Sequence, residues 1–346
     1  MTYNTLREIG VGEGRNSKVY LADEPQLGGR VAIKEIDKAS FGDPTEYFRE
    51  AQAMFQTTHD NVVPIHYACE TAACISLAMP FYTNGSLTKR IKDGPLQLSE
   101  LLRVARGVLS GLAHVHLAGF VHFDIKPSNV LFSDTNIPMV ADFGQSQAVS
   151  AAGVATAPNK IYCTALPPET LGTGVGTIAA DVYQVGLLLY RSANGDPQFR
   201  NQIPPDQNTL LDRIAHGKFP DRQSFMPHVP KHLRTLIRKA LRPDPAARFQ
   251  TGTEMADALG RVRLVLDWSV QPLVSGGFRW RASRPGHADI VVEMTEHGVG
   301  TWDVRTFTEK VGEPKRAKGK AQNWRSRINS KEARAHLTRV FQRLRG

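Results

Sequence analysis

Two short motifs that follow one another closely constrain this chain more than any other feature. They are His122-Phe123-Asp124-Ile125-Lys126-Pro127-Ser128-Asn129 and Asp142-Phe143-Gly144. Asp124 and Asn129 lie five positions apart in a short loop between apolar runs, so a carboxylate can orient an attacking hydroxyl while an amide binds magnesium. Lys126 can contact the phosphate in transfer, and Asp142 can bind the magnesium that bridges the phosphates. Together the motifs predict a site for phosphoryl transfer.

A glycine-rich run near the N-terminus is a candidate phosphate cradle. Gly12 and Gly14 fall between two strand-like runs, where glycines let backbone amides approach phosphate oxygens closely. Such a turn alone is a weak signal, but the next strand, Val31-Ala32-Ile33-Lys34, ends in a lysine that can reach the α- and β-phosphates. Glu50, on the following predicted helix, is either a surface glutamate or the partner that holds Lys34.

These motifs resemble those of the eukaryotic-type (Hanks-type) serine/threonine protein kinases, here a bacterial or phage-associated member. The resemblance covers residues 1 to about 265 and includes three later landmarks. These are Pro167-Pro168-Glu169, Asp181-Val182-Tyr183-Gln184-Val185-Gly186 and Arg248. It implies an α+β, bilobal protein kinase fold, with a strand-rich N-lobe over about 1–80 and a helical C-lobe over about 81–265. Lys126, two residues after the aspartate, matches the serine/threonine pattern.

The resemblance also implies a role for each residue of the site. The implied catalytic residues are Asp124 (the base), Lys126, Lys34 and Glu50, and the implied metal ligands are Asn129 and Asp142. The implied nucleotide contacts are Gly12, Gly14, Ser17, Val19, Ala32, Lys34, Met79, Pro80 and Tyr82. The resemblance places Met79 at the gatekeeper position and implies that adenine is held by the Pro80 carbonyl and the Tyr82 amide. Proline lacks an amide hydrogen but keeps its carbonyl, so Pro80 can still supply its implied contact. ATP with Mg²⁺ (or Mn²⁺) and a protein with serine or threonine acceptors are the implied substrates.

Three positions depart from the family pattern. Ser17 stands where the third glycine of the phosphate loop is expected, which predicts a stiffer loop or a weaker clamp. Phe123 replaces the arginine that meets an activation-loop phosphate in the family, which predicts activity that does not depend on phosphorylation of that loop. Tyr162 occupies a threonine position, and this leaves substrate selection and acceptor type open.

The last part of the chain differs from the rest in charge. Residues 268–346 contain 16 lysines and arginines against 7 acidic residues, whereas residues 1–267 contain 27 against 26. We therefore place a domain boundary near Asp267 and predict a small, basic α+β domain over 266–346. Its predicted elements are strands at 278–282, 290–295 and 301–307 and a C-terminal helix capped by Asn329 and Glu332.

This basic domain is predicted to dock a partner, either a protein substrate, an acidic protein or a nucleic acid. Trp280, Trp302 and Trp324 interleave with arginines, as the stacking platforms of nucleic-acid-binding proteins do. The alternative is that at least two of these tryptophans belong to a core. The layout of sheet and helix does not identify the partner.

Two other functions share the same motifs. A small-molecule phosphotransferase of related fold would have the same Asp124 and Asn129 spacing, but the landmarks up to Arg248 favour a platform for protein substrates. A catalytically weak kinase-fold scaffold would bind its partner through the basic region, but it requires the loss of a catalytic group, and the set is complete.

The sequence favours a cytoplasmic protein. Residues 1–10 lack the apolar core of a secretory signal, and no apolar run approaches the roughly 20 residues of a membrane span. Three unevenly spaced cysteines, Cys69, Cys74 and Cys163, are too few for a disulfide framework and lack the spacing of a zinc site.

Overall fold

The computed structural model describes residues 3–10, 17–26, 28–40, 48–158, 161–310, 313–316 and 324–344. The chain divides into two units, which are described in turn. The first comprises Met1–Lys89, Arg106–Val185 and Arg242–Ala256, and the second comprises Arg90–Ala105, Gly186–Leu241 and Asp257–Gly346.

An antiparallel sheet of five strands begins the first unit. The strands are β1 (Asn4–Ile9), β2 (Ser17–Glu24), β3 (Gly29–Asp37), β4 (Tyr67–Glu70) and β5 (Cys74–Pro80), in the order β1-β2-β3-β5-β4. Because side chains alternate along a strand, Val31 and Ile33 of β3 share one face, where they pack with Ala22 and Ala78. Lys34 falls on the opposite face. Helix α1 (Arg49–Gln56) lies between β3 and β4 in sequence.

Short strand pairs and helices make up the rest of the first unit. The strands are β6 (Phe120–Val121), β7 (Val130–Phe132), β8 (Pro138–Val140), β9 (Gln147–Ala148), β10 (Ala155–Thr156) and β11 (Val175–Gly176), paired as β6 with β9, β7 with β8 and β10 with β11. The helices are α4 (Pro168–Thr173) and parts of α2 (Leu87–Ile91), α3 (Leu98–Leu117) and α5 (Ile178–Asn194), whose other residues are assigned to the second unit. In α3, apolar side chains recur at helical spacing and form a buried stripe. It consists of Leu101, Leu102, Ala105, Val108, Leu109 and Leu112.

The second unit combines helices with a second antiparallel sheet. Its helices include α6 (Asp196–Arg200), α7 (Gln207–Ala215), α8 (Lys231–Ala240), part of α9 (Gly252–Gly260) and α10 (Ser330–Arg343). The sheet has the order β12 (Trp268–Pro272), β13 (Gly277–Ala282), β14 (Asp289–Gly298), β15 (Thr301–Lys310) and β16 (Glu313–Arg316), and β17 (Arg325–Asn329) also pairs with β15. The predicted cap of α10 is present: Asn329 Oδ1 accepts from the Glu332 amide at 2.9 Å, and Glu332 Oε2 accepts from the Asn329 amide at 3.1 Å.

An aromatic core connects the C-terminal sheet, helix α10 and the loop before α8. The Phe341 ring centroid lies 5.0 Å from that of Trp268 and 5.5 Å from that of Trp280. Trp280 Nε1 donates a hydrogen bond to His228 Nδ1 at 3.2 Å. None of these four side chains is more than 1% exposed. Of the two alternatives for Trp280, a stacking platform or a core residue, its burial supports the second.

The expected α+β fold, with a strand-rich N-terminal sheet and a helical part, is confirmed. The C-terminal region is mostly sheet, and β14 and β15 are ten residues each, longer than the predicted strands. Its described sheet is not clearly basic, because Arg279 and Arg281 both pair with Glu309. Within the described ranges, no helix has the length and apolar character needed to cross a membrane.

Candidate active site

Three charged residues from separate elements meet at one point. Strand β3 supplies Lys34, helix α1 supplies Glu50, and Asp142 follows β8. Lys34 Nζ donates to Glu50 Oε1 at 2.6 Å and to Asp142 Oδ1 at 2.7 Å. Burial opposes the charge of the lysine, but the two carboxylates outweigh it and raise the pKa of Lys34 above its ordinary value. Burial also opposes the charge of Asp142, yet Lys34 holds the pKa of this carboxyl well below its usual range.

The backbone after β8 is shaped to bring Asp142 to the lysine. Asp142 has a φ of +67°, in the left-handed region that non-glycine residues rarely adopt. A Cβ at Gly144 would lie 3.2 Å from both Asp142 Oδ1 and Lys34 Nζ. A side chain at position 144 would therefore make tight contacts with the ends of both side chains, and they would have to shift by a few tenths of an ångström to accommodate it.

Asp124 is a buried carboxylate with one free oxygen. Its Oδ2 accepts from Lys126 Nζ and from Asn129 Nδ2, both at 2.8 Å. Its Oδ1 is buried and has no hydrogen-bond partner within the described part of the chain. Burial raises the pKa of Asp124 to about 6, with Lys126 opposing the shift. The group is thus a carboxylate at neutral pH whose pKa lies near the operating range, which suits a general base.

Helix α5 fixes the loop that carries the first motif. Asp181 accepts from the backbone amides of His122 and Phe123, each at 2.8 Å. Gln184 donates to the carbonyl of Phe123 at 2.7 Å and accepts from the amide of Ile125 at 2.9 Å. These contacts stabilise Phe123 at a φ of +60°, which is strained for an aromatic residue.

Phe123 forms an apolar cluster with the segment that follows the second motif. The cluster comprises Val121, Phe123, Ala155, Ile161 and Ala180, with Val149, Ala157 and Leu166 packed against it. A Cβ at Gly176 would lie 2.6 Å from the Phe123 ring, so this packing requires glycine at that position. Where the resemblance implies an arginine that receives a phosphate, the chain has a filled hydrophobic cluster.

Two further contacts involve residues beyond Phe143. Lys126 Nζ lies 4.2 Å from the centroid of the Tyr162 ring, a cation–π contact. Glu169 and Arg248 form a bidentate ion pair at 2.8 and 2.7 Å, and the Arg248 side chain is fully buried. The Glu169 landmark is therefore bonded to the Arg248 landmark.

A cavity of about 1100 Å³ opens beside Lys34. The predicted nucleotide contacts that line it are Ser17, Val19, Ala32, Lys34, Met79, Pro80 and Tyr82, and it is also lined by Glu50, Asn129 and Asp142. Gly12 and Gly14 lie outside the described residues. Met79 and Tyr82 pack against an apolar group formed by Val63, Met139 and Ala141. The cavity thus has an apolar part beside Met79 and Tyr82 and a charged part at Lys34.

Sequence reasoning assigned no individual role to Gln184 or Gly176. A glutamine inside the apolar run 182–185 of helix α5 is a signal that was available, since a buried amide needs hydrogen-bond partners. No comparable signal links Gly176 to the ring of Phe123, because the two residues are far apart in sequence.

Comparison with known proteins places this geometry in a family. The protein kinase domain family matches residues 3–258. The chain is 31% identical over 291 residues to the DNA damage-responsive serine/threonine-protein kinase RqkA of Deinococcus radiodurans, covering 81% of this chain and 42% of the relative. It is 30% identical over 263 residues to the serine/threonine-protein kinase PrkC of Bacillus subtilis, covering 73% and 39%. It is also 30% identical over 256 residues to the serine/threonine-protein kinase PknL of Mycobacterium tuberculosis, covering 72% and 63%.

The chain therefore spans less than two thirds of the length of each of these relatives. All three are bacterial serine/threonine kinases, which confirms the resemblance predicted from the motifs. Because the family match extends over most of the chain, this protein belongs to the protein kinase domain family.

Proposed function

We propose that this chain is an ATP-dependent serine/threonine protein kinase that transfers the γ-phosphate of ATP to protein hydroxyls. The observation that carries the proposal is the pair of hydrogen bonds from Lys34 to Glu50 and Asp142 at the wall of a nucleotide-sized cavity. A lysine held in this way can offset the charge of the α- and β-phosphates. Lys126 and the names of the bacterial relatives support serine or threonine as the acceptor.

In phosphoryl transfer the protein mainly positions the reacting groups and offsets their charge. The acceptor oxygen bonds to the γ-phosphorus, the bond to the bridging oxygen breaks, and ADP leaves with the electron pair. The acceptor proton passes to Asp124, whose buried Oδ1 has no partner within the described residues. Lys126, held between Asp124 Oδ2 and the ring of Tyr162, offsets charge on the phosphate in transfer.

Asn129 and Asp142 would hold the metal ion. A carboxylate and an amide oxygen are donors that Mg²⁺ prefers, and Mn²⁺ accepts the same donors, so the donor set fits. Asn129 Nδ2 donates to the Asp124 carbonyl at 2.9 Å, while its Oδ1 has a long 3.3 Å contact from Ser128 Oγ that a cation can displace. When bound, the ion neutralises charge on the β- and γ-phosphates.

The adenine end of the nucleotide would lie against the apolar part of the cavity. Ala32 and Met79 face each other in the register of β3 and β5, and both line the cavity. We assign the Pro80 carbonyl and the Tyr82 amide to the adenine edge. At the other end, Ser17 lines the cavity, and Gly12 and Gly14, which lie outside the described residues, complete the proposed phosphate contacts.

The alternative functions receive less support. The buried Glu169–Arg248 pair matches a landmark of kinases that act on proteins, which disfavours a small-molecule phosphotransferase. A catalytically weak scaffold has no need for a base with a free buried oxygen, such as Asp124. A cytoplasmic location stays a prediction.

Docking of a partner by the C-terminal region also stays a prediction. Trp280 is 1% exposed and is therefore not available to stack on the bases of a nucleic acid, which leaves the half-buried Trp302 and Trp324. The Arg279 and Arg281 pairs with Glu309 further reduce the positive charge available to an acidic partner. The observations therefore favour a protein surface over a nucleic acid.

The purified protein is expected to autophosphorylate on serine or threonine with Mg²⁺ and ATP, because the base, both metal ligands and the phosphate lysine are present. The measurement is incorporation of label from γ-labelled ATP, followed by mapping of the phosphorylated residues. Asp124→Asn is the matched control, since it keeps the shape but removes the base, and it is expected to incorporate none. Failure of the wild type to incorporate label with either Mg²⁺ or Mn²⁺ would contradict the proposed function.

Activity is expected not to depend on phosphorylation of the activation loop, because Phe123 orders this segment by apolar packing. The rate on an added substrate should stay within a few-fold of that of the untreated wild type, both after phosphatase treatment and in four variants. The variants are Ser150→Ala, Thr156→Val, Thr164→Val and Tyr162→Phe. The last substitution keeps the ring that contacts Lys126. The measurement is the initial rate at saturating ATP.

Phe123→Ala is the contrasting variant. It removes a ring that is 0% exposed from the cluster. The free energy of unfolding is expected to fall by about 3–5 kcal/mol, and the rate of phosphate transfer is expected to fall as well. A large loss of rate after phosphatase treatment, reproduced by one hydroxyl substitution and restored by an acidic residue at that position, would show that a phosphate switch exists.

A further inference from the structure

A single buried side chain bonds to both halves of the proposed active site. Gln184 on helix α5 is 0% exposed. Its Nε2 donates to the carbonyl of Phe123 at 2.7 Å and to the carbonyl of Ala165 at 3.0 Å. Its Oε1 accepts from the amide of Ile125 at 2.9 Å. All three partners are backbone groups, so these contacts depend on the position of the chain and not on neighbouring side chains.

The partners of Gln184 belong to two segments with different tasks. Phe123 and Ile125 flank Asp124, the proposed base. Ala165 ends the short 3₁₀ turn Cys163–Ala165, which directly follows Tyr162, and the Tyr162 ring contacts Lys126. The glutamine therefore bridges the loop that accepts the proton and the segment that leads toward Glu169.

The chemistry of this bridge is specific to a primary amide. It needs two N–H donors for two carbonyls and one acceptor for an amide, and glutamine provides all of them from one planar group. Glutamate can only accept when ionised, and methionine has a similar length but can donate nothing. Loss of the amide would leave two buried carbonyls and one buried N–H without this partner, and the segments would have to shift to find others.

We propose that Gln184 is a positioning residue that sets the separation between Asp124 and the segment carrying Tyr162, and thereby the rate of phosphate transfer. The inference rests on the proposed kinase function and deepens it. Gln184 is absent from the lining of the nucleotide cavity, and so are the three residues to which it bonds. Its loss is therefore expected to change the rate at saturating substrate and to leave the affinity for nucleotide unchanged.

The test compares Gln184→Met with Gln202→Met in the full chain. Gln202 is the control, because its amide also makes three hydrogen bonds: Nε2 donates to Tyr190 Oη and to the Gln198 carbonyl, and Oε1 accepts from the Asp221 amide. Gln202 lies in the second unit and has no place in the proposed site. Both variants remove one bridging amide at nearly constant length.

The readouts are kcat on a peptide copied from a mapped autophosphorylation site, the KM for ATP, the Kd for Mg–ADP and the midpoint of thermal unfolding. Gln184→Met is expected to lower kcat at least tenfold, because displacing reacting groups by about 1 Å costs on the order of a hundredfold. The KM for ATP and the Kd for Mg–ADP should stay within about twofold of wild type. Gln202→Met should lower the unfolding midpoint and leave kcat unchanged.

The outcomes separate this inference from the function on which it rests. A wild type without activity overturns the proposed function. An active wild type with an unchanged kcat in folded Gln184→Met, or a loss that appears equally in Gln202→Met, overturns the positioning role. If Gln184→Met does not bind Mg–ADP, the comparison is made with Gln184→Asn, which keeps the amide but withdraws it by one methylene. A kcat of that variant equal to wild type contradicts the proposal, and a tenfold loss with normal Mg–ADP binding supports it.

Discussion

Replacing Asp142 with alanine is expected to lower the rate of phosphate transfer by a factor on the order of a hundred or more. The substitution removes a proposed metal ligand and the carboxylate that holds Lys34 at 2.7 Å, so charge on the transferring group is no longer offset. The fold should survive, because Lys34 keeps its 2.6 Å hydrogen bond to Glu50 and remains paired. The rate is measured with γ-labelled ATP, and folding is followed by circular dichroism during thermal unfolding.

Asp212→Ala provides the control for this experiment. Asp212 is an exposed carboxylate on α7 that pairs with His216 one helical turn away, so its removal changes net charge equally without touching the site. Its rate should match that of the wild type. A folded Asp142→Ala protein that keeps more than about a tenth of the wild-type rate would remove Asp142 from its assigned role.

Trp280→Ala is expected to lower the free energy of unfolding by about 3–5 kcal/mol, the usual cost of emptying a buried aromatic site. The indole packs on Phe341, and its Nε1 is a hydrogen-bond partner of the buried His228. Removing it leaves both a cavity and a lost hydrogen bond. The measurement is urea-induced unfolding of the full chain, followed by circular dichroism.

Trp324→Ala is the matched substitution. Trp324 also donates its Nε1, to the Thr306 carbonyl at 2.7 Å, but its ring is only half buried. Its loss should therefore cost clearly less than that of Trp280. Equal destabilisation by the two substitutions, or an unchanged stability in Trp280→Ala, would show that the aromatic core does not join the C-terminal region to the loop before α8.

The residues of the proposed site could be identified from the sequence because the chemistry of phosphoryl transfer restricts both residue type and spacing. Asp124 and Asn129 share one loop, so the five-residue interval is itself the geometric constraint, and Asn129 Nδ2 lies 2.8 Å from Asp124 Oδ2. The Lys34–Glu50 contact is different, because it joins a strand to a helix. Sequence alone left Glu50 open between a surface position and a partner of Lys34, and the 2.6 Å contact places it beside the lysine.

The burial of Trp280, one of the two alternatives that the sequence left open, had an available signal. In Phe278-Arg279-Trp280-Arg281-Ala282 apolar residues alternate with arginines, the pattern of a strand with one buried face. Trp280 and Ala282 are buried, while Arg279 and Arg281 point away and pair with acids. Interleaving of tryptophan with arginine thus indicated the pleat of a strand rather than a surface for stacking bases.

The cluster around Phe123 was beyond prediction for another reason. The sequence shows that an arginine is missing, but the neighbours that fill the space, such as Ala155, Ile161 and Gly176, come from segments far along the chain. No local propensity or spacing connects them. The same holds for Gln184, whose burial could be inferred from its apolar surroundings while its three backbone partners could not.

The apolar cluster at Phe123 has a consequence for whether earlier signals would affect the present activity of such an enzyme. A phosphate on an activation loop is a record of an earlier encounter, and it persists until a phosphatase removes it. A loop ordered by aliphatic and aromatic contacts does not need that phosphate to hold its active arrangement. Under the proposed function, the rate at any moment would follow the ATP, substrate and enzyme then present, and an earlier signal would persist in the phosphorylated substrates rather than in the activity of the kinase.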